Sequence, residues 1–254
     1  MTESDSQRVL LEVTVAAPVD TVWRALRDPA EIRRWFGRDY DGLEDEIRFI
    51  FGEGAKYVDD ERSVRWDYGD QKVERFQLEP LGSTTRLRVI RSRPPGEDWV
   101  EIYDDISEGW TTFVHQLRCA LGRHPGEDRR TPYLSAHREA ADAAKPVEAL
   151  GLDAVGAAEG SPYRLTAADG EDLAGEVWYR SAHQLGLTVD AYGDGLVVVT
   201  TDAASSKPPH GGGSSTVTTC GLDDDEFDRV SRAWTGWWQE NYPERVDDAS
   251  ATTP

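Results

Sequence analysis

The stretch Ala17-Pro18-Val19-Asp20-Thr21-Val22-Trp23-Arg24-Ala25-Leu26-Arg27-Asp28-Pro29-Ala30-Glu31-Ile32-Arg33-Arg34-Trp35-Phe36 packs two helix starts into twenty residues. Pro18 opens the first, where its missing N–H costs nothing, and Asp20 sits in the first turn, where the helix dipole favours an anion. Val19, Val22, Trp23 and Leu26 recur at i, i+3, i+4 and i+7 and share one apolar face. Asp28-Pro29 breaks that helix and begins a second short one, Ala30 to Phe36, which Gly37 ends. Just upstream, Val9, Leu11, Val13 and Val15 alternate with Leu10, Glu12 and Thr14, the period of a half-buried strand.

Downstream, residues 43–93 read as short strands. Ile47, Phe49 and Phe51 alternate, as do Val64 and Trp66, then Val73, Phe76 and Leu78, with Leu87, Val89 and Ile90 looser. Turns fall at Gly52-Glu53-Gly54, Tyr68-Gly69-Asp70 and Gly82-Ser83. Asp104-Asp105-Ile106-Ser107-Glu108 then caps a longer helix whose face is Trp110, Phe113, Val114, Leu117 and Leu121.

The second half begins with a polar break at 124–130 and an Ala-rich stretch, 135–150, with a helix ended by Gly151. Strands resume at Tyr163 to Thr166, Glu176 to Tyr179, Leu185 to Val189 and Leu196 to Thr201. Ala203 to Ser215, with its Ser-Ser, Pro-Pro and Gly-Gly-Gly, reads as a loop. Asp223-Asp224-Asp225-Glu226 caps a last helix carrying Phe227, Val230, Trp234, Trp237 and Trp238. Two spacings coincide. Tyr68 to Trp110 spans 42 positions, and so does Tyr192 to Trp234, each running from a strand-end turn to an aromatic helix. The pattern is an internal repeat whose second copy looks truncated, without a first strand or the two short helices.

The strand followed by residues 17–36, together with Ser107-Glu108-Gly109-Trp110-Thr111-Thr112-Phe113-Val114-His115-Gln116-Leu117-Arg118-Cys119-Ala120-Leu121, resembles the START-like, helix-grip superfamily. The closest likeness is to the branch containing the C-terminal domain of the activator of the ninety-kilodalton heat-shock-protein ATPase. That resemblance implies an α+β fold, a curved antiparallel sheet wrapped around a long C-terminal helix with a cavity between them. In this chain it implies a complete helix-grip domain at 8–123, a partly helical linker at 124–160, a reduced second unit at 161–243 and a flexible tail at 244–254. One departure stands out: residues 43–57 are short for the two full strands the superfamily places there. The superfamily contains lipid carriers, cyclases and co-chaperones, so the resemblance speaks to fold more than to activity.

Composition narrows the function. The 254 residues are 38% hydrophobic with nine tryptophans, enough to bury a core. Forty-eight Asp and Glu against 28 Lys and Arg leave a net charge of −20, which supplies no basic footprint for nucleic acid or anionic lipid. No run reaches the roughly 20 apolar residues of a membrane span. The acidic start, Met1 to Asp5, does not read as a signal peptide, and two cysteines are too few for a disulfide framework. A cytoplasmic protein with no nucleic-acid or membrane partner is the expectation.

Catalytic and metal signatures are mostly missing. There is no zinc-protease, paired-cysteine, nucleophile-elbow or phosphate-loop motif, so no cofactor, metal or catalytic residue is expected. The carboxylates at 59–61, 104–105 and 223–225 read as a turn and helix caps, and Cys119 and Cys220 as small buried hydrophobes. On an ideal helix His115 lies about 140° from Trp110 and about 160° from Leu117, which sends it to the outer face. The aromatic set is the informative one. Trp35, Phe36, Trp66, Tyr68, Trp110 and Phe113 fall on elements that meet around the cavity of this fold, and aromatic walls with few polar anchors suit a flat apolar ligand. The expectation is a non-catalytic module that holds a small apolar ligand or docks on a protein partner, co-chaperone-like by resemblance. The alternative is a small cyclase- or dehydratase-type enzyme acting on an apolar or polyketide-like substrate. An ionisable side chain facing the cavity separates the two, with His115 and Tyr68 as candidates.

Overall fold

The computed structural model describes residues 7–68, 73–92, 105–155, 158–166, 170, 172–205 and 207–242. The chain divides into two compact units, Met1–Arg130 and Thr131–Pro254.

In the first unit, β1 (Gln7–Val15) leads into α1 (Val19–Ala25) and α2 (Pro29–Arg33). The Asp28 side chain caps α2 by accepting from the Ala30 amide at 3.0 Å, as the Asp-Pro break implies. Next comes α3 (Leu43–Ile47), which runs on into seven residues of π-helix, Arg48–Gly54. Here the expectation of strands is overturned. Leu43, Ile47 and Phe51, four residues apart, are all buried, while Phe49 is 68% exposed. The period is therefore helical, and the alternation of Ile47, Phe49 and Phe51 was accidental. β2 (Ala55–Val58), β3 (Ser63–Asp67), β4 (Val73–Leu81) and β5 (Thr84–Ser92) follow, all antiparallel. β1 returns to pair with β5, so the sheet order is β1-β5-β4-β3-β2. Helix α4 (Asp105–Arg123) then buries Trp110, Val114 and Leu117 in one core with Val13, Val64, Phe76 and Leu87 from the sheet and with Trp23, Trp35 and Phe36 from the short helices. The unit's chain ends in a two-residue strand, β6 (Arg129–Arg130).

The second unit corrects three expectations. First, its sheet begins upstream of residue 161. β7 (Tyr133–His137) pairs antiparallel with β12 (Gly212–Cys220), as β1 pairs with β5, and α5 (Pro146–Ala149) and a 3-10 turn (Leu152–Ala154) follow it. Much of 124–160 therefore belongs to this unit's sheet and core, because Leu134 and Ala136 alternate inward and override the local helix propensity of an Ala-rich stretch. Second, the helix expected within 135–150 shrinks to the one turn of α5, ended by Gly151 at φ 70°. Third, Gly212 to Ser215, the end of the expected loop, is strand. Gly212 and Gly213 begin β12, where a Cβ on Gly212 would lie 2.2 Å from the Ala136 carbonyl and one on Gly213 would strike Pro146. Glycine is required by close approach there, not by a turn.

The remaining strands are β8 (Pro162–Thr166), β9 (Asp172–Arg180), β10 (Gln184–Val189) and β11 (Gly195–Asp202), giving the order β7-β12-β11-β10-β9-β8 in this unit. Helix α6 (Asp224–Asn241) starts with a capping box in which Asp223 and Glu226 each accept the other's backbone N–H. It buries Val230, Trp234, Trp237 and Trp238 against Val177, Leu185, Leu187, Val197 and Val217. Both units are thus an antiparallel sheet gripping a C-terminal helix, and the fold is a tandem helix-grip. The expected turn at Gly69-Asp70, the cap at Asp104 and the tail 244–254 lie outside the described residues.

Candidate functional site

Five of the six aromatic residues singled out from the sequence meet in one ring cluster of the first unit. Trp35 and Phe36, at the end of the second short helix, stand edge-to-face at 5.7 Å, and Phe36 reaches Phe113 of α4 at 4.5 Å. Trp66 of β3 lies 4.8 Å from Trp110 of α4, and Trp110 lies 5.9 Å from Phe113. Two rings outside the expected set complete the cluster. Phe51, from the π-helical segment, contacts Trp35, Phe36, Trp66 and Trp110, and Phe76 of β4 contacts Trp66 and Trp110. Phe51 was hidden by the wrong period assigned to its segment. The indole N–H groups are tied down as well: Trp35 donates to the Ala25 carbonyl and Trp66 to the Ile50 carbonyl, each at 2.9 Å. These rings touch one another, so a ligand enters this interior only by parting them.

Tyr68 belongs to a different neighbourhood. Its residue is 47% exposed, and its hydroxyl donates to Glu74 Oε2 at 3.3 Å. The Trp110 indole N–H lies near both groups and favours their charged forms. Glu74, 1% exposed, pairs across β4 and β5 with Arg91, whose Nε donates to Oε1 at 3.0 Å and whose terminal guanidinium nitrogen donates to the same oxygen. On β4 the residues Glu74, Phe76 and Leu78 alternate inward together. A carboxylate and a guanidinium therefore occupy the inner face beside the aromatic cluster. Burial pushes the Glu74 carboxyl above its ordinary value, opposed by the hydrogen bond and charge of Arg91. Burial likewise pushes the Tyr68 phenol up to about 12, helped by the Glu74 charge. The pair was not foreseen. Its signal was present, since Glu74 is in phase with Phe76 and Leu78, but polar residues in a strand pattern are ordinarily assigned to the wet face.

His115 is another correction. It is 4% exposed, not on a solvent edge, because α4 is covered well beyond its aromatic stripe: Thr112, Gln116 and Cys119 are buried too. Burial, with the Arg118 charge, pushes its conjugate acid down to about 3. Such an imidazole is neutral at physiological pH and a weak proton acceptor. Cys119 and Cys220 are buried thiols. Residues 59–62 form a turn, and among the described residues no group of carboxylate, histidine or cysteine side chains is arranged to hold a metal ion. Nor is any described helix long and apolar enough to cross a membrane.

In the second unit the Trp234 indole donates to the Tyr192 hydroxyl at 2.9 Å, a buried bond between the partners of the 42-residue spacing. Tyr179, Trp234, Trp237 and Trp238 are buried, and Trp178 is half-buried.

No family model matches the chain, and no curated protein matches it. Among solved structures, it is similar to the di-domain ARO/CYC StfQ from the steffimycin biosynthetic pathway, at 10% identity and a TM-score of 0.34, over 91% of this chain and 90% of that one. The di-domain ARO/CYC BexL from the BE-7585A pathway matches at 15% identity and a TM-score of 0.31, over 94% and 99%. The Aha1 dimer from Colwellia psychrerythraea matches 48% of this chain and 98% of its own, at 16% identity and a TM-score of 0.32. At these values the fold assignment rests on the strand order and gripped helix of each unit.

Proposed function

We propose that the first unit is a non-catalytic binding module that takes a small, flat, apolar ligand between its sheet and α4, in contact with Trp35, Phe36, Trp66, Tyr68, Trp110 and Phe113. One observation carries the reading: a contiguous aromatic interior is edged by Glu74 and Arg91 on the same inner face, with the half-exposed Tyr68 hydroxyl bonded to Glu74. Apolar walls with a few convergent polar atoms are the usual make-up of a small-molecule site. Phe113, only partly buried and touching both Phe36 and Trp110, is the ring whose movement opens the interior at least cost. Titration with the uncharged dye N-phenylnaphthylamine tests this. Saturable uptake with quenching of tryptophan emission is expected, weakened in Phe113→Ala. Absence of saturable uptake by the folded protein overturns it.

The enzyme reading draws on the same carboxylate, because an ionisable group does face the interior. In that case Glu74 accepts a proton from a cyclising or dehydrating substrate, and His115, neutral and turned away from the aromatic stripe, has no part. Turnover of such a substrate, abolished in Glu74→Gln with the fold intact, would favour it over the binding module. For a protein partner, the buried tryptophans of α6 supply no surface.

A further inference from the structure

The buried Glu74–Arg91 pair is not explained by the fold. The two units share strand order and a gripped helix, yet on the corresponding strands of the second unit Val197 stands opposite Val217 and Val199 opposite Ser215, with no charged pair facing across them. The same architecture is therefore built without a cross-strand ion pair at this place. Burying an ion pair contributes little net stability, because desolvation offsets most of the Coulombic gain. The pair is also unevenly satisfied. Oε1 of Glu74 takes two bonds from Arg91, whereas Oε2 receives the Tyr68 hydroxyl at 3.3 Å, long for an O–H···O bond, from a ring that is half in solvent.

Resting on the binding reading above, we infer that Glu74 Oε2 is the polar anchor of the first unit, and that its ligand carries a neutral hydroxyl on an aromatic body, a phenol or enol. That hydroxyl takes the place of the Tyr68 hydroxyl and donates to Oε2 at ordinary hydrogen-bond length, while the aromatic body lies against Trp110 and Trp66. Arg91 sets the charge of the ligand. It already neutralises Glu74, so a cationic amine would meet the guanidinium unfavourably, and an anionic group would meet the carboxylate. The neutral donor fits both.

The test is equilibrium dialysis of the full chain with naphthol and with methylnaphthalene, which match in shape and differ in the donor. Wild type is expected to hold naphthol about tenfold more tightly, the worth of one hydrogen bond to a charged acceptor. The double variant Glu74→Leu/Arg91→Met removes both charges at similar volume and is expected to bind the two compounds equally, at the methylnaphthalene level. Tyr68→Phe, at a half-exposed ring, is expected to keep the fold and widen the naphthol preference by removing the competing hydroxyl; it carries the test if the double variant does not fold. Equal affinities in wild type overturn the anchor but leave the binding reading standing. A preference that survives in the folded double variant, or that narrows in Tyr68→Phe, overturns the role of Glu74. Failure of both compounds to bind overturns the binding reading itself.

Discussion

His115 is a side chain whose burial has a measurable signature. Its conjugate acid lies near 6.5 in the unfolded chain and about 3 in the folded one, because burial and then the Arg118 charge disfavour the imidazolium. Below pH 6.5 the unfolded state therefore takes up a proton that the folded state refuses. The stability associated with His115 is complete above that pH and falls as pH drops toward 3, by up to about 1.4 kcal/mol per pH unit. Replacing His115→Gln removes this dependence. Urea midpoints measured at neutral pH and near pH 5 are expected to fall less for the variant than for wild type; parallel falls would contradict the buried, neutral imidazole. Gly193 makes a backbone counterpart. It adopts φ 68°, and a Cβ there would stand 1.8 Å from the Cys220 carbonyl oxygen. Gly193→Ala is expected to cost roughly 3 kcal/mol in chemical denaturation, since strain and overlap with backbone add.

Helix α6 and its sheet are joined by a bond that sequence spacing already pointed to. Tyr192→Phe deletes the hydroxyl that accepts from Trp234 in a fully buried setting, leaving an indole N–H without that acceptor. A loss of about 1–3 kcal/mol is expected. Tyr68→Phe in the first unit is expected to cost less, because that tyrosine is half exposed and water replaces its hydroxyl. Comparison of the two denaturation curves checks the difference. Between β4 and β5 the ion pair gives a sharper contrast. Glu74→Leu alone removes the carboxylate that faces the largely buried Arg91 guanidinium and is expected to cost roughly 3–5 kcal/mol, whereas Glu74→Leu/Arg91→Met is expected to lie much nearer wild type. If the single and double variants are equally unstable, the pair is structural and its role as an anchor loses its motive.

Each unit owns a separate core, one built around Trp110 and Phe76 and the other around Trp234 and Val217. In each, a first strand pairs with the last strand of the unit. Residues 1–130 and 131–254, expressed separately, are therefore expected to show a cooperative thermal transition each by circular dichroism. A 131–254 fragment without such a transition would mean that its sheet does not form unaided.

Local rules carried the reading a long way where they acted alone. The Asp28-Pro29 break, the Asp223 cap, the alternation of β1, the apolar runs of β10 and β11 and the aromatic stripe of α4 follow from capping, proline geometry and periodicity, which depend on near neighbours. The elements were legible through them, the equal spacings from tyrosine to tryptophan located the repeat, and the helix-grip arrangement came from the resemblance. The aromatic half of the candidate site was legible for the same reason, since large rings on inward faces have few other places to go. What required the folded chain was every choice made by partners distant in sequence. Residues 48–54 became helix because Phe51 completes the ring cluster; 133–137 became a strand because β12 offered an edge; Gly212 and Gly213 entered that strand because neighbours approach too closely for a side chain. Glu74 and Arg91 are the clearest case. Each charge taken singly belongs in water, and only the register that sets them opposite one another makes their burial affordable and puts a carboxylate inside an aromatic wall.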